Sequence, residues 1–185
     1  ELFRKACAIE DTSAVRRSNT SVRPGLTDLG ILLSQVDPEL APLLTEAGRQ
    51  VEKWGVRAND EVDFTNPSDY SRELNYSDLA SLLIAQGRAA EALPLLMRLL
   101  EAAVTMERRG DELRYLVLIA LAQHALGNTQ SALDSLSRAL SLAEPEGYVR
   151  LFVDEGQRMA QLLLSAISQN VAPGYASKLL AVFPN

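Results

Sequence analysis

His124 is the single histidine in a chain of 185 residues. A catalytic imidazole needs a carboxylate and a nucleophile beside it, and no such spacing surrounds this one. A structural or groove-lining role is expected. Asp154 and Glu155 offer two carboxyl groups, but consecutive residues on a helix do not face each other. They read as solvated, or as partners for Arg150 or Arg158. Asp60, Glu61 and Asp63 suggest a calcium loop but lack the glycine and terminal glutamate of an EF-hand, so a solvated linker is preferred. Trp54 and Tyr76 could stack on a sugar; a helix-end tryptophan sealing a junction is the preferred reading. The lone Cys7 cannot close an internal disulfide, and one histidine cannot anchor a multi-histidine metal site. No GxxxxGK[ST] phosphate loop occurs. The expectation is no catalytic residue, no metal and no cofactor: not an enzyme.

Bulk composition narrows the partners. Lys and Arg number 18 against 24 Asp and Glu, a net charge of −6. Nucleic-acid affinity rests on clustered cations, so DNA binding by these residues is not expected. Apolar residues make up 47%, enough for one domain with a sizeable core. No apolar run reaches the roughly 18 residues that span a bilayer, and no signal peptide is present. The chain begins at Glu1 rather than Met, which reads as a piece of a longer protein, and a cytoplasmic location is the default.

The elements that must position these groups are clearest over residues 112–151. Two apolar helical runs flank a tight Leu126-Gly127-Asn128 turn. Leu116, Ile119, Ala120 and Gln123 share one face of the first, and Ala132, Leu133, Leu136, Ala139 and Leu140 one face of the second. Gly127 supplies the positive φ that ends many helices, and Asn128 or Thr129 can cap the next. The small residues Ala120, Ala132 and Ala139 let two backbones approach. The same pattern lies upstream over residues 74–100: Ala80, Gly87, Ala92 and Leu96 match Ala120, Gly127, Ala132 and Leu136 at a constant offset of 40 positions. It resembles the tetratricopeptide repeat, whose usual period is about 34. The added residues fall in Ala102–Arg109 and lengthen the second helix.

The expected fold is all-α, antiparallel helical hairpins stacked as a tetratricopeptide-like superhelix, forming one domain over residues 1–185. Residues 1–55 hold degraded N-terminal helices: a short one lined by Leu2, Phe3, Ala6, Cys7 and Ile9, a polar loop to Gly25, another from Leu26, and a third starting at Pro38 and ending at Gly55. Residues 56–69 form a loop. The clearest repeats occupy 70–109 and 110–144, with Arg108-Arg109-Gly110 as a helix stop. Pro94 is tolerated near its helix start. Residues 145–185 supply capping helices, Tyr148–Val153, Gln157–Ser168 and Tyr175–Phe183.

The segment Ala143-Glu-Pro-Glu-Gly-Tyr-Val-Arg-Leu-Phe-Val-Asp-Glu-Gly156 resembles the end of the helical-repeat domain of large bacterial LuxR-type, MalT-like transcription activators. Leu82–Arg88, Leu118–Gly127, Ala139–Ala143 and Ala172–Leu180, with Phe183 after it, are similar to the same family. The resemblance runs roughly from Trp54 to Phe183. It implies a middle domain lying between a nucleotide-binding domain and a helix-turn-helix, neither of which these residues contain. DNA would then be reached only through a separate domain of the full-length protein, with no membrane involved.

In such a superhelix the first helix of each hairpin lines the concave surface. Ser77, Ser81 and Ile84 would face inward from the first repeat, and Arg114, Val117, Leu121 and His124 from the second, with Tyr148 and Arg150 nearby. The candidate binding set is therefore Ser77, Ser81, Arg114, His124 and Arg150, donors that could hold a small polar effector or a protein partner in the groove. For any one of them a solvated or half-buried role without ligand is the simpler reading. Two functions fit: a sensor and interaction domain of a transcription regulator, or a stand-alone scaffold gripping a peptide or protein. A stand-alone enzyme has no supporting constellation.

Overall fold

The computed structural model describes residues 48–49, 51–66 and 70–183. The expected helices around Leu2–Ile9 and from Leu26, the loop to Gly25, the helix start at Pro38, and Cys7 lie outside the described residues. Residues 51–53 close a helix, and Gly55 follows at φ +66. Seven helices come next: α1 (Tyr70–Ala85), α2 (Ala89–Thr105), α3 (Arg109–Ala125), α4 (Thr129–Ala143), α5 (Arg150–Val153), α6 (Gly156–Ser168) and α7 (Pro173–Leu180). No strand occurs among the described residues, and the fold is all-α.

The helices form where apolar residues recur at three- and four-residue steps. Ala92, Leu95, Leu96 and Leu99 are the buried stripe of α2, and Ala132, Leu136, Ala139 and Leu140 that of α4. In α3 the stripe becomes a sleeve: Tyr115 through Ala122 are all buried. A helix apolar on all sides belongs between other helices. One side of α3 (Tyr115, Leu118, Ile119, Ala122) joins the core of α1 and α2. The other (Leu116, Val117, Ala120, Leu121) joins α4 and the C-terminal helices. Because α1 packs on α3 while α2 and α4 do not pack to that extent, α1 and α3 form the inner layer of the stack.

Gly87 and Gly127 take φ +76 and +79. At each, the next N–H reaches back into the finished helix, Arg88 N–H to Leu83 O at 2.8 Å and Asn128 N–H to Gln123 O at 2.9 Å. The two hairpin turns therefore have one geometry. The Asn128 side chain makes no cap bond, so this turn is held by backbone alone. The expected stop at Arg108-Arg109-Gly110 is displaced. α2 ends at Thr105, Glu107 takes the left-handed conformation at φ +55, and Gly110 sits in the first turn of α3. Arg108 is drawn inward instead, for the reason given below.

After α4 the chain turns at residues 144–149 and folds back. The Tyr175 hydroxyl donates to Tyr148 O, and its ring meets Phe152 edge-on at 6.4 Å. These contacts close the corner that the 143–156 segment makes. α5 starts at Arg150, later than Tyr148, and α7 runs from Pro173 rather than Tyr175. Both α5 and α6 pack against α3.

Candidate functional site on the inner face

The inner face is built by one side of α1 and one side of α3, and the two hairpins use it differently. Val117 and Leu121, 1% and 4% exposed, share a core with Phe152, Met159, Leu162 and Leu163. The second hairpin's inner face is thus occupied by the chain's own C-terminal helices. The apolar residues expected to line an open groove there are core residues, because α5 and α6 bring an apolar stripe of their own. Ile84 is buried as well.

Of the candidate donors, Ser77 is 1% exposed and its hydroxyl has no hydrogen-bond partner. It is a buried wall residue, and a ligand in an open groove would not reach it. Ser81 is half-buried and donates to Ser77 O at 3.2 Å, the local bond a helical serine makes when nothing else claims it. Arg114 lies beside Asp78, Nη2 to Oδ1 3.5 Å. His124, at the end of α3, keeps a buried Nδ1 without a partner. Arg150 pairs with Asp154 at 2.8 Å, just past the end of the short α5. The structure brings Arg114 to Asp78, one turn before Ser81 on α1, and engages Arg150 with Asp154.

Two members of this region carried no signal of their own. Asp78 is 36 positions before Arg114, which is the repeat offset less one helical turn. Parallel neighbouring helices place such residues side by side, so the pair could have been found from the register. Arg158 could not. Its Nη1 donates to Ile84 O at 3.0 Å, across 74 positions, and ties the start of α6 to the end of α1. Ile84 O also accepts from Gly87 N–H at 3.1 Å, so Arg158 takes its second lone pair, and a cation there meets the negative end of the helix dipole.

The stacking itself is fixed by a buried polar cluster. Glu73 on α1 is 1% exposed. It accepts from the Tyr115 hydroxyl at 2.7 Å and from Arg108 at 2.8 Å, and Arg108 also reaches Asp111 at 2.8 Å. This cluster pulls Arg108 out of its expected place at the end of α2. Burial, and then the bond to Glu73, push the Tyr115 hydroxyl well above the usual phenol range, so it stays a donor. Elsewhere, Tyr76 is buried with its ring edge-on to Phe64 at 5.2 Å, which removes it from any sugar platform. Trp54 packs against the same core. Asp60 and Asp63 accept hydrogen bonds within their own neighbourhood, Asp60 from Arg57 N–H at 2.8 Å and Asp63 from Thr65 N–H at 2.9 Å.

Among the described residues no helix is long and apolar enough to cross a membrane. No curated protein matches the chain. The family described as MalT-like TPR region matches residues 41–169. That span takes in both hairpins and α6, and the chain belongs to this family.

Proposed function

We propose that this MalT-like TPR domain is the non-enzymatic sensor and interaction part of a cytoplasmic LuxR-type transcription regulator. It receives a small effector or a protein partner on the inner face, where Arg114 pairs with Asp78 one turn from Ser81. It passes that state through α5 and α6 to a DNA-binding domain outside these residues. The observation that carries this reading is the bond from Arg158 to Ile84 O. A helix that fills the inner face of the second hairpin also grips the end of α1, beside the polar patch of the first. An occupant of that patch that favours one placement of α6 shifts the balance between two arrangements, by as much as its affinities for them differ.

The test is reporter transcription from the full-length regulator. Arg158→Gln should change the ratio of basal to induced transcription several-fold, while thermal melting of the domain moves by only a few degrees. An unchanged ratio, or a coding sequence that joins this domain to no DNA-binding domain, would overturn the proposal.

A further inference from the structure

We propose that a groove on the opposite side of α1 is a second binding site, one that takes a small amphipathic carboxylate. The connection entering α3 is only residues 106–108, whereas before α1 the described residues 54–66 run without a helix. This longer connection folds back on the first hairpin and is pinned there. Arg98 donates to Asp60 O and to Val62 O, both at 2.8 Å. Its guanidinium also sits 5.1 Å from the centre of the Phe64 ring. The Tyr76 hydroxyl donates to Asp60 Oδ2 at 2.8 Å. Between this fixed loop and the hairpin lies a groove of about 680 Å³, within the roughly 300–1,000 Å³ of small-ligand sites.

Its chemistry is two-sided. Its apolar lining comes from Leu79 and Leu83 of α1, Val56 and Ala58 of the loop, and Pro94 of α2. Arg57, Arg88 and Arg98 line the groove against one carboxylate, Glu91, with a second, Asp60, on the same loop within reach of the Arg57 charge. Arg88 and Glu91 satisfy each other through two bonds of 2.7 and 2.8 Å. The Arg98 bonds to Asp60 and Val62 go to neutral carbonyls, so they leave its charge in place. A local excess of positive charge over apolar walls, in a chain of net charge −6, suits a ligand with one anionic end and an apolar body. Guanidinium groups favour carboxylates through paired, charge-assisted bonds. A pinned wall also lowers the ordering cost of binding.

The groove is separate from the inner face. Leu79 and Leu83 come two residues after Ser77 and Ser81, about 200° round the helix. The second hairpin provides a natural control: at the matching positions it carries Gln123 for Leu83, Asn128 for Arg88 and Asp134 for Pro94. Calorimetric titration of the chain with decanoate, below its micelle concentration, tests the proposal. Saturable one-to-one binding is expected, weakened about tenfold by Pro94→Asp, which copies the second hairpin, and likewise by Arg57→Glu. Decanol should bind more weakly than decanoate, and Arg114→Gln on the inner face should leave decanoate binding unchanged. Absence of saturable binding would overturn the proposal, as would affinity unaltered in both groove variants. Weakening by Arg114→Gln alone would put the carboxylate on the inner face and remove the second site.

Discussion

The two hairpins share turn geometry, small-residue contacts and a 40-position register, yet their surroundings have made them different objects. At matching places the first has Ser77 and Ser81 where the second has Val117 and Leu121. The second pair is covered by α5 and α6 and belongs to a core. On the outer side, Arg98 binds the long loop, while its counterpart Arg138 is 59% exposed and reaches only Glu112, at 3.7 Å. The outer row of α2 reads Ala90, Pro94, Met97, Glu101 and Val104; that of α4 and the residue after it reads Gln130, Asp134, Ser137, Ser141 and Glu144. A repeat backbone tolerates this divergence because each hairpin needs only its facing stripe to stack. The remaining positions are free to take up function or a neighbour.

The largest expected effect lies at a position where the hairpins differ in kind. Glu73 matches Leu113. Glu73→Ala should cost about 3–5 kcal/mol, because it strands the buried ends of Arg108 and Tyr115. Leu113→Ala should cost about 2–5 kcal/mol as a plain cavity. Urea denaturation of both variants measures the contrast. A near-neutral Glu73→Ala would show that the cluster does not hold the two hairpins together.

Leu96 and Leu136 match in position and in burial, both at 0% exposure. Truncation of either to alanine should cost about 2–5 kcal/mol. If only one is costly, the cores of the two hairpins are not equivalent. Smaller effects are expected at the turns. Gly127→Val should cost about 1–2 kcal/mol through the left-handed conformation alone, since a Cβ there would meet nothing within 4 Å. Asn128→Ala should fall within about 0.5 kcal/mol, because the side chain makes no cap bond. Equal thermal stability of these two variants would contradict the turn geometry.

The smallest effect concerns acid. The Arg57 N–H and, after it, the Tyr76 hydroxyl hold the Asp60 carboxyl below its ordinary value of 3.8. A depressed carboxylate contributes stability that is complete above the ordinary value and is lost as pH falls through the depressed one. Thermal melts from neutral to strongly acidic pH should therefore show a loss on the acid side that Asp60→Asn reduces. No counterpart is expected in the second hairpin, whose entering connection is only residues 106–108. An identical acid slope in both proteins would mean that the loop is not held by this carboxylate.

Much of the fold was readable in the sequence, because glycine, alanine and leucine positions repeat together and each has one physical reason to do so. Gly87 and Gly127 take positive φ, and Ala92 and Ala132 are fully buried. The inner face was read less well. Register alone placed Val117 and Leu121 on the concave side, but it could not show that α5 and α6 return to cover them. That depends on contacts such as Arg158 to Ile84 O, which join residues with no shared periodicity. The same holds for Arg108, whose sequence position suits a helix-end cation but whose partner is the buried Glu73, 35 positions earlier. Long-range polar contacts leave no pattern along the chain, whereas apolar stripes do.

The central claim is that the chain closes the inner face of its own second hairpin. Amide hydrogen exchange followed by mass spectrometry tests it most directly, because exchange reports local opening. The account predicts that amides in the interior of α6 are protected nearly as strongly as those of α3 and α4, and that Val117→Asp sharply raises exchange in α5 and α6. Rapid exchange of α6 in the unaltered protein, as for a free tail, would contradict it.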